Sequence, residues 1–318
     1  MKSVVLALLA WLAANALILC LAGPELPINL PDPATGKQLT GVNTLIAETL
    51  LMLVLIGLLT RRRPRPDLAA RAPEHAGRET LGLLAYGAVA MAVGYALGKT
   101  LGWHPFGWHL AGSVFGTHDD VTPREAVTWA GYNLVAYAII PFAYFRRRYS
   151  ARELNLRSAD RRADTTLILA VLTVESLVQI VALEPAIFDL SARQLALGAP
   201  LTFVLYFAGT VLPAMVFVFA ILLPRLARLT GSTAATVMLG GLAYTVFHLW
   251  DAWAVFGSPR EVTVSLCFLL LTYTGPGMVK SWLTVRTGNA WVHVWAYHAL
   301  APHTLNDTSL IVRAFRIR

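Results

Sequence analysis

The sequence predicts an all-α polytopic bundle of eight to nine transmembrane spans with a buried polar pocket. Three observations carry that prediction. The 318 residues are 56% hydrophobic and only 14% charged, where soluble domains carry roughly 25% charged residues. The mean hydropathy is +0.58. Apolar runs approaching the ~20 residues needed to cross a bilayer recur along the whole chain.

The runs lie near 4–22, 41–60, 80–101, 126–145, 165–183, 196–223, 234–256, 262–279 and 289–302. The first, Val4–Ala22, exceeds the 7–15-residue core of a usual signal peptide and lacks a clean cleavage site, so it reads as an uncleaved span. The sixth holds Pro200 and Pro213, which fits either one kinked helix or a surface turn followed by a span. The ninth is short and polar and fits a span or a re-entrant segment.

Arginine placement orders these runs. Loop 61–78 has six arginines and loop 146–164 has seven, while loops 23–40, 102–125, 184–195 and 257–261 hold one Lys or Arg each. Arg225 and Arg228 follow the sixth run, and Lys280 and Arg286 the eighth. The positive-inside rule then predicts a cell-membrane protein with a cytoplasmic N-terminus. It puts His104, His109, His118, Asp119 and Asp120 in an outer loop, whose spacing matches no zinc pattern and which reads as solvated. The basic Pro-rich loop 61–78 divides the chain into a two-span hairpin (1–60), a linker and a helical body (79–318).

The net charge of +8 belongs to topology and to contact with anionic membrane lipids rather than to nucleic acid. Only Cys20 and Cys267 are present, which excludes a disulfide framework and a cysteine-rich metal site. Walker A, G-x-G-x-x-G, H-E-x-x-H and G-x-S-x-G patterns are absent.

Ionisable residues inside spans are expensive and mark functional sites by default. In the seventh run, Gly241, Tyr244, His248 and Asp251 fall on one face of an α-helix, with Val246, Leu249 and Trp253 opposite, toward lipid. In the ninth, His293, His298 and His303 are spaced by five, which on an α-helix rotates each by ~140° from the last, so the three do not share a face. His298 is the inward candidate; Trp291 and Trp295 read as interfacial anchors. Glu48 and Glu175 lie in apolar runs. Glu175, His248 and His298 match in depth, while Glu48 falls nearer the outer surface. The pocket is therefore expected to hold Glu175, His248 and His298, lined by Tyr244, Asp251 and His293. A divalent metal is compatible with these residues, but no strong motif specifies one, and the cofactor is left open.

The order RRRYSARELNLRS, two spans, FHLWD and TGNAWVHVWAYH resembles the CPBP family of intramembrane proteases over about residues 126–306. The resemblance implies a membrane-embedded hydrolase acting on a membrane peptide or protein. Tyr244 and His248 correspond to that family's Phe-x-x-x-His motif. Gly288, Trp291 and His298 correspond to its last helix, and His303 and Asp307 carry His-x-x-x-Asp spacing further on. The family's glutamate pair corresponds to Ala214 and Met215, so that pair is missing. The chain is thus expected to be a divergent or non-catalytic relative, or to use Glu175 as the base with His248 and His298 as polarising groups. Whether it is an enzyme stays open, as do a scaffold that binds hydrophobic helices and a proton-coupled transporter using Glu175, His248 and Asp251.

Overall fold

The computed structural model describes residues 2–111, 120–183 and 186–318; His118 and Asp119 of the outer loop lie outside them. Among the described residues there is no strand, only an isolated bridge between Glu25 and Ala34. The helices are α1 (Lys2–Ala22), α2 (Thr35–Leu59), α3 (Ala76–Thr100), α4 (Pro123–Arg146), α5 (Arg161–Leu183), α6 (Ala192–Thr230), α7 (Thr233–Val246), α8 (Pro259–Thr287) and α9 (residues 291–314). Six of them, α2 to α6 and α8, are long and apolar enough to cross a membrane, as expected of a polytopic membrane protein.

Local sequence explains the boundaries. Thr122 and Glu125 form a capping box at α4, and Ser191 and Gln194 form one at α6. Gly231 and Gly288 close α6 and α8 in the left-handed conformation. Residues 213–226 of α6 are all buried, so this helix is the axis of the core. The surrounding helices turn Val54, Leu81, Leu169 and Val181 outward, as a lipid-facing surface requires.

Four stretches are π-helical: 134–139, 207–211, 215–222 and 294–305. Three lie just before a proline (Pro141, Pro213 and Pro224), and the fourth contains Pro302. Proline lacks the N–H for the i−4 carbonyl and its ring crowds that oxygen. A wider turn absorbs both problems without breaking the helix. Pro200 and Pro213 therefore sit in one continuous α6 rather than at a surface turn.

Several boundaries differ from expectation: α6 runs on to Thr230 and α9 to Ala314, and two further differences bear on the site. The seventh run leaves the helix at Val246, not at 256. His248 Nδ1 donates to the Tyr244 carbonyl at 2.7 Å, the acceptor that the next helical N–H would have used. The chain continues in tight turns, with His248 N–H on Thr245 O and Asp251 N–H on His248 O. His248 and Asp251 thus lie beyond the helix rather than on its face. Val246 is exposed as expected, but Trp253 is buried. The eighth run continues past 279 to Thr287, so Lys280 is a buried helical residue and not a loop cation. Arg286 is buried too, donating to Thr60 Oγ1 (2.8 Å) and Thr60 O (2.6 Å) at the end of α2.

The helices α7 and α8 cross in close contact. A Cβ on Gly241 would lie 2.7 Å from both Thr274 O and Met278 Cγ, and one on Gly277 would lie 2.8 Å from Gly241 Cα. Glycine here lets the backbones touch and brings Tyr244 against α8. Both α1 and α2 also pack on α8.

Candidate functional site

Five of the eight histidines gather in one buried chain. Ring centroids are 4.6 Å apart for His248–His109, 5.2 Å for His109–His303, 5.1 Å for His303–His298 and 5.8 Å for His298–His293. All five are buried.

The segment before His109 is built to hold that ring in place. Trp108 stacks on Phe247 at 4.4 Å, and its carbonyl accepts from the Thr210 hydroxyl. Gly107 O accepts from Trp129 Nε1 and Asn133 Nδ2, both at 2.8 Å. His109 therefore leaves the solvated loop expected of it. Its Nδ1 lies 3.1 Å from Tyr273 Oη and 3.4 Å from Asp251 Oδ2. The Tyr273 hydroxyl also donates to Asp251 Oδ2. Asp251 in turn lines a surface cleft of about 740 Å³ with Tyr95, Lys99, Trp103 and Trp250.

The three histidines of α9 share a face after all. From Val294 to Leu305 the helix is π, with hydrogen bonds to residue i−5. The wider turn brings residues five apart onto adjoining positions of one side of the helix, where an α-helix would have spread them, and the three rings lie within 5.8 Å of their neighbours. His298 Nε2 meets Tyr244 Oη at 3.2 Å, and His303 Nδ1 meets Asp307 Oδ2 at 2.9 Å. His303 lies nearly flat on Tyr206, at 4.9 Å. His293 packs on Phe219 at 4.3 Å.

Several imidazole nitrogens have no partner: His248 Nε2, His298 Nδ1, His303 Nε2 and both of His293. In neutral His248 the bond from Nδ1 to Tyr244 O leaves the lone pair on Nε2. Asp251 Oδ1 is also buried and unpartnered.

A second group of ionisable residues lies beyond Tyr244. Lys280 Nζ sits 3.9 Å from the Tyr244 ring centroid and 5.5 Å from that of Tyr297. It interacts electrostatically with both Glu48 and Glu175, which also face each other and Tyr297. Glu175 Oε1 accepts from Gln179 Nε2 at 2.9 Å, and Gln179 Oε1 from Asn306 Nδ2 at 2.8 Å. Both Glu48 oxygens and Glu175 Oε2 accept no N–H donor, which leaves the two carboxyls and Tyr297 as hydrogen-bonding neighbours of one another. Two carboxyls and one ammonium balance electrically when one proton is shared between the carboxyls, the inexpensive state for a buried set.

The predicted residues are thus brought together in part. Tyr244 joins His248 through its carbonyl and His298 through its hydroxyl. Asp251 and His293 stand near the two ends of the histidine chain. Glu175 has no hydrogen bond to either histidine; Lys280 links it to Tyr244. Glu48, which the sequence does not place in the pocket, is its partner. Ala214 and Met215 are packed in the apolar core. Among the described residues, no three of His, Cys, Asp and Glu are arranged to hold a metal ion.

Sequence reasoning missed His109, Lys280, Tyr273 and Tyr297. For His109 the signal was the alternation Phe106, Trp108, Leu110, apolar residues on either side of a loop histidine. For Lys280 it was a lone cation between apolar Val279 and Trp282. No protein family, curated protein or solved structure matches this chain.

Proposed function

We propose that this chain is a multi-pass cell-membrane protein that relays protons, as a proton-coupled carrier does. The observation that carries this reading is continuity. A line of ionisable groups runs from Asp251, at the wall of the cleft, through His109, which has His248 beside it, then His303 and His298 to Tyr244, Lys280 and the Glu48–Glu175 pair. Imidazole takes a proton on one nitrogen and releases it from the other. The unpartnered nitrogens are the groups such a step uses, and carboxylate–histidine chains inside membranes serve this purpose in pumps and transporters. The N-terminus and loops 61–78 and 146–164 are cytoplasmic in this reading, and the Asp251 cleft faces outward.

The test is purified protein in liposomes loaded with a pH-sensitive dye, with a potassium gradient driving proton entry. Flux above empty vesicles that falls with His248→Ala and Glu175→Gln supports the relay. Flux equal to empty vesicles, with folded protein present, overturns it.

A second reading, CPBP-like hydrolysis of a membrane peptide, is favoured by one observation. The Tyr244/His248 motif, His298 and the His303–Asp307 pair lie in one site, with a carboxyl pair one residue layer away. Glu175 would then be the base, and His248 and His298 the polarising groups. Cleavage of a panel of membrane peptides that is lost in Glu175→Gln selects this reading. A protein with neither flux nor cleavage that still retains hydrophobic helices is a scaffold.

A further inference from the structure

A different feature lies at the basic end of the bundle, 13 residues before Glu175 on α5, or about 20 Å away at 1.5 Å per residue. A cavity of about 330 Å³ opens between the end of α2 and the start of α5, lined by Leu59, Arg63, Asp160, Arg162, Thr166 and Leu167.

Its charges are not all satisfied within the protein. Arg63 Nη2 donates to Asp164 Oδ1 at 2.6 Å, while Arg63 Nη1 is buried without a partner. Asp164 has little left to offer, because its Oδ2 already accepts from Ser158 (2.7 Å) and Asn289 (2.9 Å). Asp160 is occupied as a cap, accepting the Ala163 N–H at 3.0 Å. Arg162 is exposed, and among the described residues it has no carboxylate within 4.0 Å. The same holds for Arg61, Arg62, Arg65 and Arg161 nearby. Next to this excess of cations, Leu58, Leu59 and Leu169 present exposed apolar surface.

We propose that this cavity binds the phosphate of an anionic phospholipid headgroup. Arg63 Nη1 and the Arg162 guanidinium supply the fork of donors that phosphate oxygens accept. The leucines carry the acyl chains, which a free phosphate would leave unused. Basic pockets between transmembrane helices on the cytoplasmic side suit this ligand.

The test uses the full chain in detergent, with lipid retention read by native mass spectrometry. The probes are phosphatidylglycerol, phosphatidylcholine and inorganic phosphate. Phosphatidylglycerol is expected to be retained over phosphatidylcholine. Arg162→Gln should weaken its binding about fivefold, the scale of one arginine near a lipid phosphate. Arg63→Gln should do so at least as much, and because Arg63 also pairs with Asp164, Arg162→Gln is the variant that decides. Arg228→Gln, an exposed arginine outside the cavity, should change nothing. Equal retention of the two lipids overturns the proposal, as does an equal loss in Arg228→Gln. Displacement of phosphatidylglycerol by millimolar inorganic phosphate would assign the site to a soluble phosphate and overturn the lipid assignment.

Discussion

Glu48 and Glu175 face one another across the contact between α2 and α5, with the Lys280 ammonium near both. Each is buried, so the three residues form one electrostatic unit. Removing one member leaves the others uncompensated, and breaking a buried charge set of this kind costs about 3–5 kcal/mol.

Lys280→Met is accordingly expected to destabilise the protein by about that amount. Adding Glu175→Gln should recover part of the loss, because the pair then carries less charge. A double-mutant cycle by thermal or denaturant unfolding in detergent measures the coupling. Additive losses would mean that the two residues do not act on each other.

On the proposed relay, proton flux responds to several positions along the line of ionisable groups rather than to one residue. His248→Ala and His298→Phe are each expected to slow flux by about 10²–10⁴-fold, the range for loss of a proton-transfer group. Phe217→Leu, an apolar core change outside the chain, should leave it within a small factor. Liposome flux at matched protein density separates these outcomes.

The α7–α8 crossing predicts a stability effect with no charge involved. Gly241→Ala places a methyl 2.7 Å from Thr274 O, and backbone cannot move away as a side chain can. Overpacking of this kind costs about 1–3 kcal/mol. Gly131→Ala, with open space around its Cβ position, should be neutral or slightly stabilising in the same unfolding assay.

Asn155 ties three segments together. Its backbone is left-handed at φ 53°, its Oδ1 accepts from Arg71 Nη1 (2.5 Å), its Nδ2 donates to Phe219 O (3.1 Å), and its carbonyl accepts the Ala290 N–H (2.7 Å). Asn155→Ala removes both side-chain bonds and puts a residue that disfavours this φ in its place, at a cost of about 2 kcal/mol or more. Limited proteolysis of the basic loops should speed up in that variant.

Cysteine labelling in intact cells checks orientation. Residues placed in loops 61–78 and 146–164 are expected to react only after permeabilisation, because thirteen arginines crowd those loops. Strong labelling from outside reverses the topology.

Much of the helical layout was legible in the sequence, because apolar runs and prolines report directly on burial and backbone. Ala76–Thr100 and Pro123–Arg146 each begin and end close to the predicted runs 80–101 and 126–145, and Thr35–Leu59 ends where its run does. The site was legible only in part. Tyr244, His248, Asp251 and His298 stood out as ionisable residues in apolar surroundings. The Glu48–Glu175 contact depends on how α2 and α5 pack, which no local pattern encodes. Lys280 looked like a topology marker because a lysine at the end of an apolar run usually is one; here aromatic ring faces shelter it. The alignment of His293, His298 and His303 is hidden from the α-helical period, which does not hold in a stretch that widens its turn around Pro302.

That wider turn makes α9 sensitive to residue count. In a regular α-helix an inserted or deleted residue turns everything beyond it by about 100°. In residues 294–305 the wider turn keeps the five-spaced histidines on one side of the helix, an arrangement the α-helical pitch would undo. Deleting Leu300 would let the segment relax toward the tighter helix and swing His303 and Asp307 away from His109 while leaving every ionisable side chain in the sequence. The ionisable groups would all be present and the line between them cut, so the proposed relay depends on the spacing of α9 as much as on its histidines.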